Sequence, residues 1–263
     1  MRVAVRSRKG FALLAVLWTM ALLAVIVTRL AAAAHTETRI AVNLRRAAEM
    51  REAADGAVHV AAVHVLDRSE HHWNPHATPG PHLVQENGTE VEVWLRDESD
   101  LIDINSAPPE MLATALVIVG LEPPKAEQVA AALVAWRMSP TLPVAQLPGR
   151  AYAPPGEAFR DIDEILMVPG MTRDLLDKLA PHLTLYSAEP PASGTRDMLA
   201  AATLRRLHAQ TGYEPPPRLR DRAQVVRVVA TARGEDGAGF TRTAILRLDP
   251  ATVSAPLTIL QWN

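Results

Sequence analysis

The chain opens with a short basic segment followed by a long apolar one. Residues 11–27 carry no charged side chain, and only Arg29 interrupts the apolar run up to Ala34. A helix of these 24 residues would be about 36 Å long, which is enough to cross the hydrocarbon of a bilayer. Because basic residues beside a membrane span stay in the cytoplasm, we expect everything after Ala34 to lie on the far side.

Apolar positions keep a helical spacing beyond this segment. They recur from Ile40 to Val65, so we predict one helix from Phe11 to Leu66, apolar in its first half and amphipathic in its second. Gly56 is its weakest point, because glycine is a poor helix former. A cleaved secretory signal is the alternative, but the apolar region of such a signal runs about 7 to 15 residues, and this one is longer.

Alternation of apolar and polar residues predicts two β-hairpins. The first joins residues 83–86 to residues 90–95 through Asn87-Gly88, a dipeptide typical of tight hairpin turns. The other predicted strands are residues 224–232, 240–248 and 257–262. We expect them to form one antiparallel sheet packed on the long helix. The fold class is therefore α+β, with the residues between the two hairpins inserted into the sheet domain.

The inserted segment, residues 100–187, has a helical pattern. Ser106 is a candidate N-cap for a first helix, and residues 125–137 repeat the helical spacing. After a proline-rich loop, Asp161 is placed to cap a short helix that leads through a turn at residues 169–170 into another helix. This order of elements is typical of a helix-hairpin-helix.

Composition and charge exclude several classes of function. The net charge is −2 and the isoelectric point is near 6.5, so the whole molecule has no field that would gather nucleic acid. Without cysteine there is no disulfide, thiolate zinc site or cysteine nucleophile. The sequence has no nucleophile elbow, phosphate-binding loop or dinucleotide fingerprint. We therefore predict that the protein is not an enzyme.

The junction between leader and apolar helix resembles the type IV prepilin class III signal. It reads Arg8-Lys9-Gly10-Phe11. The resemblance implies that a prepilin peptidase cuts after Gly10 and N-methylates Phe11.

Most pilins carry a glutamate four residues after the first mature residue, where this chain has Ala15. Burying a carboxylate in hydrocarbon costs free energy unless the carboxylate is paired. In pilins its partner is the N-terminal amine of a neighbouring subunit. Ala15 is therefore what a tip subunit, with no neighbour above it, should have.

Two further signatures, at residues 101–107 and 159–172, resemble minor pseudopilin K of type II secretion, within the pilin-like superfamily. The resemblance implies a long helix on an antiparallel pilin-like sheet, with an inserted all-α domain of helix-hairpin-helix or SAM-like type. The implied divisions are a leader (1–10), a transmembrane part of the helix (11–34), a first part of the pilin-like domain (35–99), the insertion (100–187), and a second part with a linker and the C-terminal strands (188–263).

The resemblance also implies a place in the cell and a set of partners. It places the chain in the inner membrane as a single-pass protein with its bulk in the periplasm. There it would join minor pseudopilins I and J at the pseudopilus tip, starting or capping assembly for the export of folded proteins across the outer membrane.

A membrane-anchored helix-hairpin-helix protein of DNA uptake is the alternative. Residues 103–107 and 168–171 resemble the motifs of such DNA receptors. These motifs approach phosphate through a second glycine, and Thr172 takes that position here. Between Asp161 and Tyr186, five acidic residues face two basic ones, and such a surface repels the DNA backbone. We therefore expect no nucleic-acid partner.

Two clusters of side chains are candidates for metal binding. His71, His72 and His76 have poor ligand spacing, so we interpret them as solvated loop histidines. A candidate calcium site has four carboxylates within seven residues: Asp97, Glu98, Asp100 and Asp103. Related pseudopilins bind calcium. The equal alternative is a solvated connection between strand and helix in which Asp103 acts as a cap.

The calcium hypothesis meets one departure from the family pattern. Members usually have an acid-rich stretch after the Trp-Arg that ends the second helix of the insertion. Here Trp136-Arg137 is followed by a loop in which Glu157 is the only acid before Phe159.

Overall fold

The computed structural model describes residues 9–67, 69–76, 80–138, 156–217, 223–234, 237–249, 252 and 255–263. A single helix, α1 (Lys9–Leu66), runs from the apolar segment into the globular head. It continues through Gly56, where a side chain would come within 3.2 Å of the Glu86 carboxyl group. The glycine therefore lets a neighbouring strand approach the helix, and packing against that strand offsets its poor helix propensity.

Five strands form the antiparallel sheet that packs on α1. They are β1 (His82–Glu86), β2 (Thr89–Asp97), β5 (Gln224–Arg233), β6 (Gly239–Leu248) and β7 (Leu257–Trp262), and they lie side by side in that order. Each predicted strand is present. The first hairpin turns at Asn87-Gly88, both with positive φ, as this two-residue turn requires. In the second hairpin, residues 235–236 lie outside the described residues.

Small residues on α1 make its contact with the sheet close. Ala53, Ala54, Ala57 and Ala61 are fully buried. They face a layer of valine, alanine and leucine from β2, β5 and β6 that contains Val91, Val93, Val226, Val228 and Leu246. Alternate residues of each strand point to this layer, which accounts for the observed period of two. This is the core of the pilin-like part.

The second hydrophobic core belongs to the helical insertion. It begins with β3 (Ile102–Asp103), which pairs in parallel with β4 (Leu183–Thr184). Between these short strands lie α2 (Pro109–Ile118), α3 (Pro123–Met138) and α4 (Arg173–Leu179), preceded by a 3₁₀ helix at Ile162–Met167. Residues of all these helices share one buried cluster. The insertion is thus closed at its base by its own two-stranded sheet.

The start of α2 differs from the prediction. The residue that caps it is Pro108, without a side-chain bond, and the buried Ser106 hydroxyl has no hydrogen-bond partner among the described residues. The prediction that Ser106 is the N-cap is therefore wrong, because the chain makes a further turn before the helix. Asp161 does cap the following 3₁₀ helix, accepting a bond from the Asp163 amide.

Among the described residues, one α-helix was not predicted. α5 (Met198–Thr211) follows β4 and places Leu199, Ala200 and Leu204 in the core of the insertion, packed on α2. The sequence analysis assigned these residues to the second part of the pilin-like domain. The packing joins them to the helical domain, and we propose that this domain extends to about residue 213. The proline-rich loop at residues 139–155 lies outside the described residues.

Candidate membrane anchor and domain junction

The first part of α1 has the properties of a membrane anchor. Its segment Leu13–Leu30 is apolar and long enough to span a bilayer, and none of it is buried in the head. Ala15 lies within this segment, and Gly10 and Phe11 lie in the first turn of α1. The described part of the chain is therefore consistent with a membrane-anchored protein. Whether the chain is cut after Gly10 stays a prediction.

An exposed stretch of helix separates this anchor from the head. Residues 37–49 are exposed, and the buried part of the helix after them begins at Met50. From Leu30 to Met50 the helix rises about 30 Å. An ion pair between Arg45 and Glu49, 2.8 Å apart, supports the helix there. Apolar residues such as Ile40 and Leu44 remain uncovered, so this stretch can pack against other helices.

The insertion is fastened to the sheet by a buried carboxylate at the end of β2. Glu98 is completely buried. Its Oε1 accepts a bond from Arg227 Nε of β5 at 2.7 Å, and its Oε2 accepts one from the Thr184 hydroxyl of β4. One side chain thereby joins both domains. A second contact across the same boundary runs from the Tyr186 hydroxyl to Gln261 Oε1 of β7, at 2.9 Å.

A second buried carboxylate, Asp197, lies at the start of α5. Its Oδ2 accepts a bond from Arg96 Nη2 of β2 at 3.2 Å and is 2.7 Å from His182 Nδ1. Its Oδ1 accepts the Ala200 amide at 2.9 Å and so caps α5. Arg96 also donates to the Pro181 carbonyl. This network binds the C-terminal end of β2, far from its hairpin turn, to the helical domain.

Asp103 holds the base of the insertion together. Its oxygens accept the amides of Asn105 at 2.7 Å and Ala188 at 2.6 Å. Burial raises the pKa of Asp103, against the opposite effect of these amide bonds and of the Arg137 charge. Burial also lowers the pKa of Arg137, whose guanidinium donates to the carbonyls of Ile104 and Ala107. Asp103 therefore closes the entry and exit of the insertion.

The four carboxylates of the candidate calcium site do not come together as one site. Asp97 binds His76 Nε2 at 2.5 Å and accepts the Ser99 amide at 2.7 Å. Asp100 is 3.4 Å from His76 Nδ1, and Glu98 and Asp103 have the partners given above. Within the described ranges, no group of three His, Asp or Glu side chains is placed to hold a metal. Protein donors contact these carboxylates in the structure, and calcium binding by them stays a prediction.

The histidines after α1 are more ordered than expected. His76 is 21% exposed and bridges Asp97 and Asp100, so its interpretation as a solvated residue is wrong. Sequence reasoning missed this bridge because the two carboxylates follow more than 20 residues later, across the first hairpin. His71 and His72 are exposed, as expected for loop residues.

The helix-hairpin-helix turn packs inward. Gly170, at φ +84°, lies so close to α3 that an added Cβ would be 2.7 Å from Val129 Cγ2. Thr172 caps α4 by accepting the Leu175 amide, and Asp163 pairs with Arg173 at 2.8 Å across the turn. Gly170 thus allows close contact with α3. The Asp163 carboxylate pairs with Arg173, the cation of the turn that a phosphate would need.

Comparison with known proteins identifies the inserted part. Residues 84–188 match the family model for "Type II secretion system (T2SS), protein K". This part of the chain is therefore similar to protein K of type II secretion. The match begins in β1 and ends just after β4, so it contains the contact of Glu98 with Thr184 and those of Asp103 with Asn105 and Ala188. Both signatures found in the sequence, residues 101–107 and 159–172, fall inside it.

A solved structure has a similar fold. The fold is similar to that of a chain in the crystal structure of the GspK-GspI-GspJ complex from the enterotoxigenic Escherichia coli type 2 secretion system. The TM-score is 0.61 at 15% sequence identity, and the alignment covers 86% of this chain and 98% of that one. A search of curated proteins by sequence found no match. The predicted α+β class and the resemblance to minor pseudopilin K are confirmed.

Proposed function

We propose that this protein is a minor pseudopilin at the tip of the type II secretion pseudopilus. In this proposal it joins minor pseudopilins I and J, and it starts or caps assembly of the filament that exports folded proteins across the outer membrane. The observation that carries the proposal is the protein K domain at residues 84–188, set into the sheet of a head that ends a membrane-length helix.

The partners follow from two lines of support. The complex that contains the similar chain also contains GspI and GspJ, and the exposed apolar residues of α1 between the anchor and the head suit contact with other long helices. Ala15 agrees with a tip position, because a subunit with no neighbour above has no amine with which to pair a buried carboxylate.

The proposed location is the inner membrane, crossed once by α1, with the head in the periplasm. The basic residues before Phe11 and the apolar Leu13–Leu30 segment support this orientation. The role is structural, without catalysis and without nucleic acid. The inward-facing hairpin turn and the ion pair between Asp163 and Arg173 favour this interpretation over DNA uptake.

Mass spectrometry of the N-terminus tests the anchor and its processing. The protein should be purified from membranes of a host that has a prepilin peptidase. We expect a mature chain that begins with N-methylated Phe11, since the leader would be removed after Gly10. A Gly10→Val variant should keep residues 1–10, because a branched side chain obstructs the cut. A soluble mature chain that begins near Ala34 would overturn the proposal.

A further inference from the structure

Three aromatic rings are stacked where α1 ends and the sheet begins. Trp73, in the connection after α1, lies between His64 of α1 and His82 of β1. Its centroid is 4.4 Å from that of His64, with the rings 6° from parallel, and 3.9 Å from that of His82, at 4°. The side chains of the stack join the helix, the connection and the edge strand.

Hydrogen bonds hold the His64 side of the stack in place. The Trp73 amide donates to the His64 carbonyl at 3.0 Å, and His64 Nδ1 lies 3.1 Å from the His71 carbonyl, to which it donates. On the other side, Nε2 of His82 is buried and has no hydrogen-bond partner among the described residues. A neutral imidazole can have its acceptor nitrogen there, whereas a protonated one would bury an N–H without an acceptor.

The charged groups around the stack lie on its His64 side. From the connection, Asp67 and His71 face His64, and both histidines contribute to lowering the pKa of Asp67, after its hydrogen bonds from Ser69. From α1, the group that faces His82 is His64 itself, and from β2 the residue opposite His82 is the apolar Val93. Among the described residues, a proton on His82 would therefore meet another imidazole and no carboxylate.

We propose that the stack of His64, Trp73 and His82 is a proton-sensitive latch, which holds the connection after α1 against the sheet at neutral pH and releases it on acidification. The charged form of His82 is disfavoured by both its burial and its neighbour. Protonation therefore favours any arrangement in which this ring leaves the stack and reaches water.

The direction of the pH effect follows from the site. Burial, and secondarily the His64 charge, lower the pKa of His82 from its ordinary value of 6.5. The open connection therefore takes up a proton more readily than the closed one, so the latch is fully stable above pH 6.5 and weakens as the pH falls below it. One such proton can change the ratio of open to closed forms by up to about tenfold per pH unit.

Hydrogen exchange measured on the full chain in detergent micelles tests the latch. Peptides from residues 64–82 should be followed at about pH 7.5 and pH 5.5, after correction for the intrinsic pH dependence of exchange, because these values lie on either side of the ordinary histidine pKa. We expect wild type to lose protection at the lower pH by up to about tenfold. His82→Phe keeps a ring on Trp73 that cannot be protonated, so it should lose much less.

His72→Phe is the matched control, because His72 is exposed in the same connection. It should keep the wild-type pH dependence. Equal acid-induced loss in wild type and His82→Phe, or no loss in wild type, would overturn the proposal. If His82→Phe does not fold, the imidazole resonance of His82 in wild type decides: titration below 6.5 supports the latch, and titration at or above that value overturns it.

Discussion

At the scale of single residues, Gly170 gives the sharpest prediction. It has a positive φ and lies so close to α3 that a side chain would collide there, because an added Cβ would be 2.7 Å from Val129 Cγ2. Gly170→Ala should lower the free energy of unfolding by about 1–3 kcal/mol through backbone strain and overpacking. Thermal unfolding of the full chain in detergent, followed by circular dichroism, measures the loss.

Gly120→Ala is the control for Gly170→Ala. Gly120 also has a positive φ, +107°, but a Cβ added there would have open space around it, with no heavy atom of the described residues within 4 Å beyond its chain neighbours. The control variant therefore carries the backbone strain without the collision, and it should lose less stability. Equal losses in the two variants would mean that the contact with α3 is unimportant.

Sequence reasoning at this scale succeeded where the interaction is local. The Asp161 cap acts two residues along the chain, so its pattern can be read directly. The partners of Glu98 are Thr184 and Arg227, 86 and 129 positions away, and no local pattern indicates them. Four neighbouring carboxylates therefore suggested a calcium site, with a solvated connection as the equal alternative, and neither interpretation indicated the distant partners of Glu98.

At the scale of elements, the buried pair that joins α1 to β6 can be tested. Arg242 is 6% exposed; its Nε donates to Asp55 Oδ1 at 2.5 Å, and its guanidinium lies over the rings of Phe240 and Trp262. Arg242→Met should cost about 2–4 kcal/mol, because Asp55 keeps a partly buried charge whose remaining cation, the exposed Arg51, is 3.9 Å away. Unfolding of the full chain in detergent measures this cost.

The second step of that test is a double-mutant cycle. Adding Asp55→Leu to Arg242→Met removes the stranded carboxylate and should recover part of the lost stability. Additive losses from the two substitutions would show that the pair does not join the helix to the sheet. Arg45→Met, which breaks an exposed pair on the same helix, should change stability by less than about 1 kcal/mol.

Elements were predictable where periodicity is strong. The five strands of the main sheet show alternating or apolar runs bounded by turn residues, and all were found. α5 was missed, although Asp197 and Gly212 are good cap residues, because prolines surround it and the sequence was interpreted as a linker. Its apolar residues are buried by packing against α2, which lies about 80 residues earlier in the chain, and no local pattern shows that contact.

At the scale of the whole molecule, the insertion leaves the sheet at one place and returns to it beside that place. Asp97 at the end of β2 is paired with Val226 near the start of β5. In the part of the chain that the structure describes, the core between α1 and the sheet contains no residue from the insertion. The strand pattern and the family resemblance both predicted an insertion between the two hairpins. The pattern alone could not show that β2 and β5 are the neighbouring strands.

The proposed capping role can therefore be tested by removing the insertion cleanly. Deleting residues 100–222 leaves Glu98, Ser99, Ala223, Gln224 and Val225 as a hairpin loop between Asp97 and Val226, a length that hairpins accept. Ile245 is fully buried and lies in register between Arg227, which binds Glu98, and Gln261, which binds Tyr186 of the insertion. The deletion would expose it, so the variant should also carry Ile245→Thr.

We expect this deletion variant to insert into the membrane and to keep its head, because the core on α1 is intact, but to lose the tip complex with pseudopilins I and J. Protease resistance of the head reports on its fold, and co-purification from membranes together with secretion of exported proteins reports on function. Ile245→Thr in the full chain is the control and should retain the complex. If the deletion variant keeps its head and still forms the complex and supports secretion, the inserted domain does not cap the filament. If the variant enters the membrane but fails to assemble, the capping role belongs to the helical domain.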